Sequence, residues 1–483
     1  MLDAESGSVV GAAICPEKEM AIMSSKSGWA EQRPQDWWDN VKAATQKVLA
    51  DSKIDPADVK AIGVSYQMHG LVLVDGQKQV LRPSIIWCDS RAVEIGEAAF
   101  EKIGPDKCLS HLLNSPGNFT ASKLKWVRDN EPDIFSQVHK AMLPGDYIAM
   151  KLTDTITTTV SGLSEGILWD FKDKKPAEMV LDCYEIDKSM LPEVAATFSV
   201  QGELTTHAAG ELGLKAGTVV SYRAGEQPNN ALSLNVLNPG EIAATAGTSG
   251  VVYGIGAEPN YDSQSRVNSF AHVNYTDGNP MLGVLLCVNG TGILNSWLKG
   301  TVASGLDYPQ MNELAGQAPI GSDGLCILPF GNGAERTLGN KDIGGCVHGL
   351  NFNTHGKAHL LRAGQEGIVF ALNYGLQVMR EMGVQVETVR AGDANMFLSP
   401  LFREAFATTT GATVELYNTD GSAGAARGAG IGCGIYKNPQ EAFSGLKCTQ
   451  AIEPSSGRES DYQEAYQRWL EILNHQLRME RMQ

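Results

Sequence analysis

The sequence has no apolar run near the roughly 18 to 20 residues that a membrane-crossing helix requires, so a transmembrane protein is not expected. Basic residues are in deficit: 39 Lys and Arg stand against 55 Asp and Glu, for a formal net charge of -16, and no basic cluster interrupts the acidic balance. Binding to a phosphate backbone depends on a Lys- and Arg-rich surface, so this deficit argues against nucleic acid as the main partner and suits small neutral substrates. The nine cysteines are odd in number and include no C-x-x-C pair, which points to reduced cytosolic thiols rather than a disulfide framework. The start, Met1-Leu2-Asp3-Ala4-Glu5, has neither the basic residues nor the apolar core of a secretory signal, and a cytoplasmic protein is expected. Heptads, a charge-block tail and a short solenoid period are absent too. His355 and His359 have the i, i+4 spacing of paired metal ligands, but no Glu follows His355 and Gly356 intervenes. A polar helix start is the simpler reading, and no metal ligand is assigned.

What is present has the composition of a globular protein: 43% apolar and 19% charged residues, with 52 glycines spread over many turns. At 483 residues the chain exceeds one ordinary core, and two domains of roughly 200 to 250 residues are expected. Pro34-Gln35-Asp36 opens a helix with Trp37, Val41, Ala44 and Val48 on its apolar face. Val59 to Val64, Leu71 to Asp75 and Ile85-Ile86-Trp87 read as strands. In the second half, Glu241 to Ala246 and Val251 to Tyr253 form an expected hairpin, and Gly283 to Val288 a buried strand. A helix with Ile293, Leu294, Trp297 and Leu298 follows, then a strand over Glu387 to Ala391. Ser399-Pro400 reads as the cap and first turn of another helix. The small residues of Gly421 to Gly430 suggest close helix packing, and Asp461 to Met479 an amphipathic helix. Strands alternating with helices argue for α/β architecture, with halves meeting near residues 215 to 225 and Lys215 to Thr218 as the hinge.

Two short stretches carry chemistry. In Gly225-Glu226-Gln227-Pro228-Asn229, a carboxylate on a Gly-bounded loop can take a proton from a hydroxyl. The turn Gly247-Thr248-Ser249-Gly250, after a strand, offers N–H and hydroxyl donors to phosphate oxygens. Phosphoryl transfer needs both, because its catalysis is mostly positioning and charge stabilisation. Taken alone, each also fits an ordinary solvated turn.

Read together and in order, the motifs resemble the FGGY family of carbohydrate kinases over almost the whole chain, and most closely its xylulose kinases. Ser65-Tyr66-Gln67-Met68-His69-Gly70 resembles the sugar-binding segment, followed by Ile86-Trp87-Cys88-Asp89-Ser90-Arg91. Asn118 to Pro132 resembles one family signature; Gly345 to Leu350, continued by His359 to Gly367, resembles the other. The resemblance implies two actin-like (ribonuclease H-like) ATPase domains flanking a cleft: residues 1–222 for sugar, 223–440 for ATP, and a helical closure over 441–483. It implies ATP-dependent phosphorylation of D-xylulose with Mg²⁺, and a possible homodimer. Glu226 occupies the general-base position, where the family carries aspartate. Met68 and His69 would contact the sugar, with Gln67, Asp89 and Arg91 near it; alone, Met68 also fits a core and Asp89 with Arg91 a surface ion pair. Gly247, Thr248 and Ser249 would cradle phosphates, and Gly292, Gly392 and Asn395 would line the adenosine side. Leu2 to Gly7 looks like the turn between the family's first and second strands, which implies that the family's first phosphate-binding segment is missing from this sequence. A gluconate-type kinase and a non-catalytic sugar-binding homologue remain the alternatives.

Overall fold

In the computed structural model, which describes residues 1–480, Pro34 starts the helix Pro34–Ser52 where the sequence places it, with Asp36 in its first turn. The helix turns differently about its axis than expected. Trp38 rather than Trp37 enters the core, where its indole N–H donates to Glu211 Oε2 at 3.1 Å; Trp37 is only half-buried and donates to Gln32 Oε1 at 3.0 Å.

The chain divides into two compact units. The first takes Met1–Asn235, Phe270–Leu282 and Asp420–Leu446; the second takes Val236–Ser269, Gly283–Thr419 and the chain from Lys447 on. The chain thus passes from the first unit to the second after Asn235, and Lys215 to Thr218 is a turn inside the first unit that leads into the strand Val219–Gly225.

In the first unit, Val219–Gly225 runs parallel to Ala61–Tyr66 and antiparallel to Phe198–Glu203. Trp38, Tyr66, Val72, Tyr147, Leu212 and Val220 share the core against this sheet. The small-residue run forms the helix Gly421–Gly432, which lies directly on the strands: the Ser221 hydroxyl donates to the Ala429 carbonyl at 2.8 Å. A Cβ at Gly63 would stand 2.0 Å from the Ala425 carbonyl oxygen, so the close approach needs glycine there.

In the second unit, the strands Leu282–Val288, Gly250–Gly256, Glu241–Ala246, Thr388–Gly392, Thr413–Tyr417 and Cys448–Ile452 lie side by side in that order. Glu241–Ala246 pairs antiparallel with Gly250–Gly256, as the hairpin pattern predicts, and parallel with Thr388–Gly392. The 25-residue helix Lys357–Glu381 buries Ile368, Val369, Leu372, Leu376 and Met379 in the core of this unit. The helix Glu459–Glu480 adds Tyr462, Tyr466, Trp469 and Leu473. Each such side chain contributes on the order of 1.5 to 3 kcal/mol by leaving water, and the Trp469 N–H is satisfied by the Ile327 carbonyl at 3.0 Å. Among the described residues, no helix is long and apolar enough to cross a membrane.

Candidate active-site segments

The first candidate site grows from two parallel strands that end side by side. Ala61–Tyr66 and Val219–Gly225 are in register at Tyr66 and Gly225, so Gln67-Met68-His69 and Glu226 leave the sheet together. Glu226 becomes the first residue of the helix Glu226–Ser233. A Cβ on Gly225 would stand 2.6 Å from Met68 Cγ and 2.6 Å from Glu165 Oε2, so only glycine fits this packing. Met68 is buried. The Glu226 side chain reaches solvent, yet desolvation by the surrounding protein raises its carboxyl above the usual range, and the Gln227 amide at 3.4 Å opposes that rise.

His69 is fixed from several sides. Its backbone is left-handed, at φ 62°, which a β-carbon disfavours. Its ring Nδ1 meets the Glu165 carbonyl oxygen at 2.8 Å, and Phe119 and Phe270 flank the ring with centroids at 4.7 and 5.5 Å. The buried Lys123 ammonium donates to the His69 carbonyl at 2.8 Å and the Ile86 carbonyl at 3.0 Å. Burial pulls Lys123 down to about 7, while Asp89 opposes. Lys123 thereby ties the His69 turn to the segment that carries Trp87.

Asp89 and Arg91 sit deeper than the sequence suggests. Asp89 is wholly buried, accepts the Ala30 N–H at 2.6 Å and pairs with the Arg91 guanidinium at 2.7 Å. That guanidinium stacks between Trp29 and Trp126, 3.8 and 4.7 Å from the ring centroids, and meets Glu31 at 2.7 Å. The pair is a buried strut with its polar atoms turned to protein, not the surface ion pair that was the alternative. Gln67 donates to Gln32 Oε1 at 3.5 Å and leaves its own buried Oε1 without a partner.

The second candidate site lies in the second unit, around the turn between Glu241–Ala246 and Gly250–Gly256. A cavity of about 1030 Å³ opens there. Gly247, Thr248, Gly292 and Asn395 line it; Ser249 and Gly392 do not. The Gly292 N–H donates to the Gly247 carbonyl at 2.9 Å, and the Ile293 N–H to the Thr248 carbonyl at 3.2 Å. The first donors of the helix Gly292–Thr301 are therefore used on the hairpin turn, whose Gly247 and Thr248 line the cavity. A Cβ at Gly292 would lie 2.3 Å from the Gly247 oxygen. Behind this loop, buried Glu335 accepts the Asn289 N–H at 2.9 Å, and desolvation pushes its carboxyl up to about 8.

The sequence pattern of the FGGY carbohydrate-kinase N-terminal domain matches residues 1–233, and that of the C-terminal domain matches residues 242–433. The chain belongs to the FGGY family of carbohydrate kinases. It is similar to xylulose kinase of Bacillus subtilis, 29% identical over 96% of this chain and 92% of that one, and to xylulose kinase of Escherichia coli, 28% identical over 96% and 93%. Among solved structures it resembles the Brucella ovis xylulose kinase, at 25% identity and a TM-score of 0.84 over 94% of this chain and 92% of that one. The Lactobacillus acidophilus gluconate kinase, at 23% identity, shares the fold with a TM-score of 0.86 over 95% and 92%. The protein is accordingly a phosphotransferase of the sugar-kinase class, with the two-domain, actin-like α/β fold of those kinases.

Several residues of this FGGY kinase that the sequence reading gave no role line or underlie the two sites. Arg362, within the second family signature, reaches the cavity of the second unit while pairing with Glu366 at 2.7 Å and donating to the Ala318 carbonyl at 2.9 Å. Beneath the sugar-side segment lie Tyr66, Asp146, Glu165 and Arg223, all buried; Arg223 meets Asp146 at 3.3 Å and donates to Thr157 at 2.8 Å. His355 and His359 do form a polar helix start: His359 Nε2 faces Asp323 at 3.2 Å, and its Nδ1 accepts the Gly356 N–H at 3.2 Å. Among the described residues, His111, Asp170 and Asp173 could group around a cation, but His111 is already paired with Asp170 at 2.9 Å.

Proposed function

We propose that this FGGY kinase phosphorylates D-xylulose to D-xylulose 5-phosphate, with ATP as donor and Glu226 as general base. The observation that carries the reading is the meeting of Met68 and the Glu226 helix start across Gly225, with His69 locked one residue further on. Glu226 takes the proton of the O5 hydroxyl while that oxygen bonds the γ-phosphorus of ATP and the bond from phosphorus to the ADP oxygen breaks. Glutamate reaches about one ångström further than aspartate, and its place at the first helical position, open to solvent, leaves room for that reach.

Gly247 and Thr248 take the phosphates, with Ser249 beside them in the same turn, and Gly292 and Asn395 face the nucleoside; Gly392 acts by ending the strand that delivers Asn395. Met68 and His69 contact the sugar, Gln67 turns its free amide oxygen toward the same region, and Asp89 with Arg91 keeps the segment in place. The cavity's carboxylates are Glu313 and Glu404, and Glu404 is held by Arg458 at 2.6 Å. The turn itself carries no carboxylate, so Mg²⁺ would rest chiefly on the ATP phosphates, with Glu313 as the cavity's other carboxylate, and would supply neutralisation of phosphate charge.

The test is coupled ADP release with D-xylulose, gluconate, glycerol and L-ribulose. Turnover of xylulose that falls about 100- to 10,000-fold in Glu226→Gln, the usual worth of a general base, supports the reading. Preference for gluconate would move the protein elsewhere within the family. Sugar-dependent thermal stabilisation without any ADP release would make it a binding homologue.

A further inference from the structure

Glu165 has no task in phosphoryl transfer as described, yet it lies against both His69 and the Gly225 position that precedes Glu226. It closes the helix Val160–Glu165, is only 2% exposed, and neither of its carboxyl oxygens makes a hydrogen bond. Its main-chain carbonyl faces His69 Nδ1 at 2.8 Å, and its Oε2 packs with Met68 against Gly225, one residue before Glu226.

The groups around it are mostly of the wrong charge. The helix Pro144–Thr153 presents Asp146, the helix Glu226–Ser233 presents Glu226, and the strand Ala61–Tyr66 presents the Tyr66 phenol, which lies close without good hydrogen-bond geometry. Arg223, on the strand Val219–Gly225, is the buried cation of the cluster, and it is engaged by Asp146 at 3.3 Å and Thr157 at 2.8 Å. A dehydrated carboxyl with anionic neighbours and no cation of its own keeps its proton. Desolvation, together with Asp146 and Glu226, holds Glu165 well above the carboxylate range, and the Tyr66 phenol only partly opposes this.

We propose that Glu165 is carried as a neutral carboxylic acid and acts as a positioning residue for the acceptor-sugar site, packing His69, Met68 and the Glu226 helix start together while adding no charge beside Glu226. The inference rests on the reading of Glu226 as base. Two neighbouring carboxyls lose their protons in succession: the first leaves solvent-facing Glu226 and switches the base on, and the second leaves buried Glu165. That second loss puts an unpaired anion under the sugar site, so sugar turnover falls again at alkaline pH.

The experiment compares wild type with Glu165→Gln, which reproduces the size and neutrality of the protonated acid. Glu165→Gln is expected to keep kcat/KM for D-xylulose within about threefold, leave the acid limb of the pH profile in place and move the alkaline limb to higher pH. A downward move of the acid limb by about one unit or more would overturn the proposal, because it would mean that a resting Glu165 anion had been holding Glu226 up. An infrared difference spectrum, wild type minus Glu165→Gln at neutral pH, needs no turnover. It is expected to contain the C=O stretch of a carboxylic acid, and carboxylate bands in its place refute the neutral Glu165. Glu226→Gln that remains fully active would end the base assignment while leaving the infrared result intact. Should Glu165→Gln not fold, Glu165→Met, similar in length and uncharged, serves in both measurements.

Discussion

Replacing Gly292 by alanine should weaken nucleotide binding without touching the sugar side. The new Cβ would stand 2.3 Å from the Gly247 carbonyl oxygen, 2.9 Å from its carbon and 3.5 Å from the Thr248 nitrogen. Non-bonded carbon contacts are comfortable at about 3.5 to 4.0 Å, so the turn and the helix start must separate by roughly an ångström. The obstructing atoms are all main chain, which leaves no side chain free to rotate away. The separation stretches the bonds from Gly292 N–H to Gly247 at 2.9 Å and from Ile293 N–H to Thr248 at 3.2 Å, and these set the shape of the phosphate turn. Forcing a methyl group into such packing typically costs about 1 to 3 kcal/mol. Expressed in the bound geometry, that is about a 5- to 150-fold loss of affinity. Calorimetric titration with ATP and with ADP should show the loss, while thermal stabilisation by D-xylulose stays within about twofold of wild type. A folded Gly292→Ala protein that binds nucleotide as tightly as wild type would refute the reasoning.

Three further outcomes are expected. Activity should fall as pH drops through the raised value of Glu226, because protonation removes the base, and Glu226→Asp should retain part of the rate that Glu226→Gln loses. Lys123 is held near 7 when folded but titrates near 10.4 when unfolded, so between about pH 7 and 10.4 the unfolded state alone carries the proton, and below pH 7 the folded state carries it at the full cost of burial. That penalty is complete below about pH 7 and relieved as pH rises toward 10.4; Lys123→Met should therefore shed a rise in Tm that wild type shows over that window, as paired melting curves would reveal. Arg91→Ala leaves buried Asp89 without its guanidinium and empties the space between Trp29 and Trp126, while Glu31 keeps Arg82 at 2.6 Å, so denaturant unfolding should show a loss of about 3 to 5 kcal/mol.

Much of the fold was legible because its signals are local. Pro34 and the Ser399-Pro400 cap announce helix starts, and the Ser399 hydroxyl does accept the Phe402 N–H at 3.3 Å. Tyr462, Tyr466, Trp469 and Leu473 mark a single buried stripe. Adjacent tryptophans, by contrast, leave the phase of a helix open by about 100°, and only the contact with Glu211 decides for Trp38. Of the candidate site, motifs pointed to segments that the structure brings together, Met68 and His69 with Glu226, and Gly247 with Gly292. Glu165 and Arg223 carry no motif, since their environment is assembled by strands and helices distant in sequence. Arg91 does lie in a motif, but its burial was not legible there: alone it fits a surface cation until Trp29 and Trp126 close on it.

The helix Gly421–Gly432 covers the strand Ala61–Tyr66, made about 355 residues earlier, and the strand Val219–Gly225, made about 200 residues earlier. On a ribosome adding about 5 to 20 residues per second, the face bearing Tyr222 therefore waits roughly 10 to 40 seconds for its cover. Tyr222, wholly buried in the finished protein and stacked on Phe198 of the neighbouring strand, lacks its helix cover for that interval, and the nascent chain is expected to be a client for chaperones that shield apolar surface. For the same reason, a fragment ending at Asn235 would carry the whole sugar-side segment and still lack the helix that closes its sheet, so expressing that fragment alone should yield an aggregating product.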